Sequence, residues 1–73
     1  MTFHILYKEY CPYSQRAVEL LKEKKAKFVV KTAGKNFTEK EFKEKFGPFA
    51  TYPRVYKDGE FIGGYDELEE YFN

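Results

Sequence analysis

Cysteine and histidine are almost absent from this sequence, which has one of each and no tryptophan. A single cysteine excludes an internal disulfide framework and a cysteine-rich metal site within one chain, and one histidine adds too few ligands, so we expect no metal. An excess of charge of one sign is also lacking, with 13 basic against 12 acidic residues and no basic block. This balance argues against binding to nucleic acid or to a membrane surface.

Long apolar stretches are missing as well. The sequence has neither a charged and then apolar leader nor an apolar run of membrane-spanning length, so we expect a cytoplasmic protein. A chain of 73 residues can form one small domain with a thin core, and we expect a single domain over residues 1–73. Seven tyrosines and eight phenylalanines then supply much of its buried area. We expect a small or transient partner and a monomeric chain.

The segment at residues 10–14 holds the only cysteine at the expected start of the first helix. Pro12 suits the first helical position, which makes Cys11 the N-cap, with free N–H groups of the helix directed at its sulfur. Those groups, the helix dipole and the nearby Lys8 and Arg16 favour the thiolate. We therefore predict a lowered pKa and a nucleophilic thiol. The alternative is that a lone cysteine is only a small buried hydrophobe.

Hydrophobic periodicity and turn residues predict seven elements in the order β-α-β-α-β-β-α. The expected bounds are a strand over 2–7, a helix from Pro12 to residues 23–25, a strand over 27–32, a helix between Thr38 and Gly47, a strand headed by Pro53, a strand through 61–62, and a helix opened by residues 63–66. The apolar stripe of the first helix consists of Tyr13, Ala17, Leu20 and Leu21. The first strand, helix and strand imply a right-handed βαβ unit with parallel strands.

Short-range signals mark several of these boundaries. Thr38 and Glu41 have the spacing of a capping box at the start of the second helix. The Asp58-Gly59 pair suits a type I′ turn between the last two strands. Asp66 and Glu69 are expected to form the capping pair of the last helix.

Three motifs lie at the ends of these elements: Cys-Pro-Tyr at residues 11–13, Thr-Tyr-Pro at 51–53 and Gly-Gly-Tyr-Asp at 63–66. In this order the chain resembles the glutaredoxin family over essentially its whole length. The resemblance implies a thioredoxin fold of the α/β class, with a four-stranded mixed sheet flanked by three helices. It also implies a glutathione-dependent thiol-disulfide oxidoreductase, with glutathione as co-substrate and glutathionylated or disulfide-containing proteins as transient partners.

The same resemblance implies a glutathione-binding groove. Pro53 is expected to follow a cis peptide bond and to face the active cysteine, and Tyr52 before it to pair backbone groups with the cysteinyl of glutathione. The segment expected to hold the γ-glutamyl end is Gly64, Tyr65 and Asp66.

The resemblance makes Cys11 the nucleophile, with Lys8 stabilising its thiolate and contacting glutathione, and Tyr13 beside the thiol. Ser14 departs from the dithiol members, which have a second, resolving cysteine at that place. Serine neither ionises readily nor forms a stable bridge to sulfur, so no internal disulfide is possible. It is either natural, as in monothiol branches, or an engineered substitution, and the dithiol-type Cys-Pro-Tyr before it favours the second.

Three functional hypotheses follow. The favoured one is reduction of glutathione mixed disulfides by a monothiol mechanism through Cys11. The second is a 2Fe-2S cluster shared by two subunits, each giving one cysteine and one glutathione, although Cys-Pro-Tyr-Ser differs from the Cys-Gly-Phe-Ser of cluster carriers. The third is a dithiol disulfide reductase, such as an electron donor to ribonucleotide reductase, disabled by Ser14.

Overall fold

A computed structural model describes residues 1–73 and contains seven elements in the predicted order. They are β1 (Phe3–Tyr7), α1 (Pro12–Glu23), β2 (Phe28–Thr32), α2 (Glu39–Phe46), β3 (Arg54–Lys57), β4 (Glu60–Gly63) and α3 (Tyr65–Tyr71). The bounds expected from the sequence lie close to these. None of the helices is both long and apolar enough to span a membrane.

The four strands form one mixed sheet in the order β2-β1-β3-β4. β1 runs parallel to β2 and antiparallel to β3, so Ile5 lies opposite Val30 on one side and Val55 on the other. β4 returns antiparallel to β3 through a turn at Asp58 and Gly59, whose φ angles of 49° and 86° are those a type I′ turn needs. This sheet, with its three helices, confirms the predicted thioredoxin fold.

Alternation along β1 separates the two faces of the sheet. Phe3 and Ile5 are buried on the face covered by α1 and α3, where they join a single core with residues of both helices and of β3. The buried members of that core are Phe3, Ile5, Ala17, Leu21, Val55 and Leu68. Burial of each large side chain stabilises the fold by roughly 2 kcal/mol, so this face carries most of the stability.

Two members of the predicted stripe of α1 are not buried. Ser14, Ala17 and Leu21 are buried, whereas Tyr13 is 53% exposed and Leu20 is only partly buried. Positions three and four residues apart share one face of a helix, and the face that includes Ala17 and Leu21 passes through position 14. A small polar side chain therefore occupies the first buried position, and the Tyr13 ring projects to the surface.

The opposite face of the sheet packs against α2 through aromatic and cationic contacts. Arg54 precedes Val55 in β3 and therefore points to this other face. Its guanidinium carbon lies 4.0 Å from the centre of the Phe46 ring and 4.1 Å from that of Phe61, and its Nε donates to the Tyr56 hydroxyl at 2.8 Å. A cation–π contact of this kind contributes about 0.5–2 kcal/mol, and the one with Phe46 stabilises the packing of α2 on the sheet.

The predicted capping box at α2 is present. The Glu41 N–H donates to the Thr38 hydroxyl oxygen at 3.0 Å, and the Thr38 N–H donates to the Glu41 carboxylate at 2.9 Å. The Thr38 N–H first, and the Thr38 side chain second, hold the pKa of the Glu41 carboxyl below its ordinary value. Phe37 and Phe42, which flank the cap, stack with ring centres 5.9 Å apart. The cap therefore fixes where α2 begins.

The predicted capping pair of α3 is wrong. The helix begins at Tyr65 with Gly64 as its N-cap, and Glu67 provides the carboxylate that accepts from the Gly64 N–H at 2.7 Å. Asp66 therefore lies inside the first turn, and Glu69 accepts instead from the Tyr65 hydroxyl at 3.1 Å. The helix therefore starts two residues earlier than predicted, because Gly63 has no side chain and leaves room for Glu67 to reach back to the Gly64 N–H.

We expect Leu21→Ala to destabilise the fold by about 3 kcal/mol, because it opens a cavity in the main core. Leu20→Ala removes the same atoms from a side chain only partly buried against that core, so about 1 kcal/mol is expected. Urea unfolding followed by circular dichroism measures both changes. Equal losses in the two variants would show that α1 does not face the sheet as described.

Candidate active site

The pairing of the strands brings three loop segments to one end of the sheet. β3 is antiparallel to β1, with Leu6 opposite Arg54, so the chain entering β3 lies beside the chain leaving β1. β4 is antiparallel to β3, with Gly63 opposite Val55, so the chain leaving β4 returns to the same end. The three motifs recognised in the sequence therefore meet beyond the carboxyl end of β1.

A tight turn after β1 places Cys11 at the start of α1. Tyr10 has a φ of 64°, in the left-handed region, and its side chain is 89% exposed. The Cys11 N–H donates to the Lys8 carbonyl at 3.3 Å, and the Gln15 N–H donates to the Cys11 carbonyl at 3.1 Å. Cys11 is the N-cap of α1 and Pro12 its first residue. The thiol is free and partly exposed.

The pKa of Cys11 lies below its ordinary value. Partial burial is the largest single effect and raises the pKa, but hydrogen bonds that favour the thiolate outweigh it. The Ser14 hydroxyl contributes most among these donors, then the N–H groups of Ser14 and Tyr13, and the charge of Lys8 contributes least. The side chain of Cys11 makes no capping hydrogen bond. These donors therefore favour the ionised sulfur over the neutral thiol, which lowers the pKa.

Ser14 is completely buried although it is polar. Its hydroxyl oxygen accepts from the Lys8 N–H at 3.4 Å, which leaves the hydroxyl hydrogen available to the sulfur of Cys11. One hydroxyl group thus joins the end of β1 to the first turn of α1 and acts on the thiol. The position at which the family resemblance implies a resolving cysteine is therefore occupied by a hydroxyl group that lowers the pKa of the thiol.

The segment before β3 contributes an aromatic wall. The Tyr52–Pro53 peptide bond is cis, as the family resemblance implies. The Tyr52 ring stacks on Phe42, with centres 4.3 Å apart and planes at 18°, and Phe37 continues the stack at 6.4 Å. The Lys8 ammonium lies 5.7 Å from the centre of the Tyr52 ring. Stacking from α2 therefore fixes the ring beside Lys8.

The start of α3 lies beside this wall. A Cβ at Gly64 would lie 3.4 Å from the carbonyl oxygen of Pro53, an ordinary van der Waals distance. Gly63 has a φ of 139°, and a Cβ there would lie 2.6 Å from the Glu67 Cγ. The absence of a side chain at Gly63 thus leaves room for Glu67 to fold back onto the Gly64 N–H.

Two grooves cross this end of the molecule. The first, of about 280 Å³, contains Tyr13, Tyr52, Pro53, Gly64, Tyr65 and Asp66. The second, of about 400 Å³, contains Lys8, Cys11 and again Tyr52. Thr51 and Tyr52 line both grooves, which are therefore continuous. All the predicted site residues lie on this surface except Ser14, which is buried beneath it.

Tyr13 and Tyr65 both line the first groove and contact each other. Their ring centres are 6.0 Å apart, and the Arg16 guanidinium lies 5.3 Å from the centre of the Tyr13 ring. The ring of Tyr13 therefore borders the groove, while its backbone N–H acts on the thiol. A partly polar groove bordered by a pair of tyrosine rings suits an extended peptide-like ligand.

The residues that sequence reasoning missed are mostly acidic. Glu39 pairs with Lys8 at 3.2 Å across 31 positions of sequence, and Glu67 caps Gly64. The capping-box pattern explains Glu39 only as a first-turn residue, and no local signal predicts its pairing. The structure contains no group of three or more His, Cys, Asp or Glu side chains that could hold a metal ion.

Comparison with known sequences supports one family. A sequence model of the glutaredoxin family matches residues 4–62. That range includes the turn at Cys11, the cis proline, β3 and the part of β4 up to Ile62. No curated protein sequence gives a match.

Solved glutaredoxin structures share the fold. Glutaredoxin 1 from Francisella tularensis, complexed with cacodylate, has a TM-score of 0.80 and 24% identity, covering 94% of this chain and 88% of that one. Glutaredoxin from Brucella melitensis has a TM-score of 0.74 and 30% identity, covering 96% and 76%. A buckwheat glutaredoxin–glutathione complex has a TM-score of 0.76 and 23% identity, covering 96% and 66%. The similarity extends over nearly the whole chain.

We expect Ser14→Ala to raise the pKa of Cys11, because it removes the donor that contributes most to the thiolate and leaves the buried volume almost unchanged. Lys8→Met removes the smallest contribution and should raise the pKa less. The pH dependence of Cys11 alkylation by iodoacetamide measures the pKa in each variant. A larger rise for Lys8→Met would show that charge, not hydrogen bonding, controls the thiol.

Proposed function

The chain belongs to the glutaredoxin family, and from that premise we propose that it reduces glutathione mixed disulfides by a monothiol mechanism through Cys11. Family membership supports a glutathione-related thiol oxidoreductase, and the buckwheat complex supports glutathione as the co-substrate. The observation that carries the mechanism is the free thiol of Cys11, which has a lowered pKa and lies in an open groove without a second cysteine.

The reaction consists of two disulfide exchanges. First, the Cys11 thiolate attacks the glutathione sulfur of a protein–glutathione disulfide; a Cys11–glutathione bond forms, the original disulfide breaks, and the protein thiolate leaves and takes up a proton. Next, the thiolate of a second glutathione attacks the glutathione sulfur of this adduct. Oxidised glutathione forms and Cys11 leaves as thiolate. A low pKa favours Cys11 both as the ionised nucleophile and as the leaving group.

The charges of the continuous groove suit the two ends of glutathione. Asp66, in the first groove, suits the ammonium of the γ-glutamyl end, and Lys8, in the second, suits the glycine carboxylate. The backbone of Tyr52 lies between them and is placed to pair with the cysteinyl unit, whose sulfur then reaches Cys11. The remaining walls of the proposed site are Tyr13, Pro53, Gly64 and Tyr65.

We further propose that residues 1–73 act as one glutaredoxin domain, as a monomer, in the cytoplasm. A reducing compartment rich in glutathione keeps a lone exposed thiol reduced and supplies the second glutathione of the cycle. The protein partners are then glutathionylated or disulfide-containing proteins that dissociate after each exchange.

We expect steady-state turnover when the protein is mixed with a glutathionylated peptide and excess reduced glutathione, and we expect Cys11→Ser to reduce it to the uncatalysed rate. Chromatography monitors the release of the peptide thiol and gives the rate for the original protein and for Cys11→Ser. Turnover that survives in Cys11→Ser would contradict the proposal. So would a single stoichiometric step that ends in a stable Cys11–glutathione adduct.

We expect Ser14→Cys to retain turnover of the glutathionylated peptide, because the proposed mechanism uses Cys11 alone, at a rate lowered by loss of the Ser14 hydroxyl that favours the thiolate. The same variant, assayed on a peptide with an intramolecular disulfide, tests the competing hypothesis. Efficient reduction of that peptide, together with poor deglutathionylation by the serine form, would identify a disabled dithiol reductase instead.

A further inference from the structure

Lys8 does not face the substrate groove unpaired. Its ammonium lies 3.2 Å from a carboxylate oxygen of Glu39, and the two side chains are 46% and 48% exposed. Both line the groove that contains Cys11. Glu39 is the first residue of α2, directly after the capping residue Thr38, so the capping box fixes the backbone that carries its carboxylate. The ion pair is therefore held in place by the start of a helix.

Glu39 is the carboxylate of this groove that engages Lys8. Glu9, the other acidic residue in the groove, pairs with Lys35 at 3.0 Å. The charge of Glu39 also reaches the aromatic wall, since burial first and Glu39 second raise the pKa of Tyr52. The Glu39 carboxylate thus places a negative charge beside Lys8, where an anionic group of a ligand would bind.

We propose that Glu39 is a specificity residue that weakens the binding of carboxylates at Lys8. An arriving carboxylate must displace Glu39 from Lys8 and then lies beside the negative charge it has displaced. A neutral amide at the same place meets no such repulsion. The inference rests on the proposed function only in taking glutathione, whose glycine end is a carboxylate, as the substrate.

Glu39→Gln tests this role because it removes the charge, keeps the shape, and leaves an oxygen that can accept from Lys8. An ion pair of this exposure changes affinity by about two- to fivefold. Two matched controls remove the same charge elsewhere. Glu9→Gln acts in the same groove on a carboxylate paired with Lys35, and Glu44→Gln acts on an exposed residue of α2 that lines no groove.

The first experiment compares KM for a peptide disulfide of glutathione with KM for the same peptide carrying the glycine-amide analogue. Glu39→Gln should lower KM for the carboxylate form by about two- to fivefold and leave the amide form and kcat nearly unchanged. Neither control should alter the ratio of the two KM values. An unchanged ratio in Glu39→Gln, or an equal change in Glu9→Gln, would overturn the proposal.

The second experiment needs no glutathione. Cys11 is alkylated in parallel by anionic iodoacetate and by neutral iodoacetamide, and the rate with iodoacetate is divided by the rate with iodoacetamide. Both rates depend in the same way on the thiolate fraction and on the exposure of the sulfur, so these two factors largely cancel in the ratio. Glu39→Gln should raise this ratio about two- to fivefold at low salt, and high salt should remove the difference. If the wild-type protein showed no deglutathionylation but the ratio rose, the proposed function would fail and the role of Glu39 would stand. A ratio that does not rise would refute that role even in an active enzyme.

Discussion

The antiparallel register between β1 and β3 is the constraint on which the site depends. Ile5 and Val55 face each other across these strands and are completely buried. A slip of one residue would turn both side chains out of the core, because side chains alternate across a strand. The same pairing sets Leu6 opposite Arg54, and hence sets the chain leaving β1 beside the cis proline. The hydrophobic core therefore holds the geometry of a groove that has little apolar burial of its own.

Much of this arrangement could be predicted from local sequence. The capping box at Thr38, the turn at Asp58-Gly59 and the Cys11-Pro12 helix start each depend on neighbours a few residues apart, so short-range physics fixes them. The mixed sheet and the cis bond depend on the family resemblance, because neither is written in local periodicity. The start of α3 is misplaced because the preference for aspartate at an N-cap favours Asp66, whereas Gly63 leaves room for Glu67 to cap Gly64. The pairing of Lys8 with Glu39 is missed because it is tertiary and joins residues 31 positions apart.

Ser14 illustrates how one side chain can be both a structural and a chemical residue. It lies on the same helix face as Ala17 and Leu21, so it is buried with them, and a buried hydroxyl needs hydrogen-bond partners. The Lys8 N–H donates to the hydroxyl oxygen, and the same hydroxyl lowers the pKa of the nearby Cys11 thiol. The sequence identified the position as the place of a missing cysteine. Its burial and partners depend on the docking of α1 against β1, which no single segment specifies.

The reactivity of the Cys11 thiol and the proposed selection of substrates therefore depend on different interactions, namely hydrogen bonds and charge. The thiolate of Cys11 is favoured mainly by neutral donors from Ser14 and Tyr13, whose effect is short-range and little screened by salt. The proposed selection depends on Lys8 and Glu39, which are half exposed and therefore screened. If a lysine beside the thiol were its main stabiliser, every change in preference for substrate charge would also shift the pKa of the nucleophile strongly. Because the Ser14 hydroxyl lowers this pKa more than the charge of Lys8 does, the charge of the groove can change with a smaller effect on the thiol.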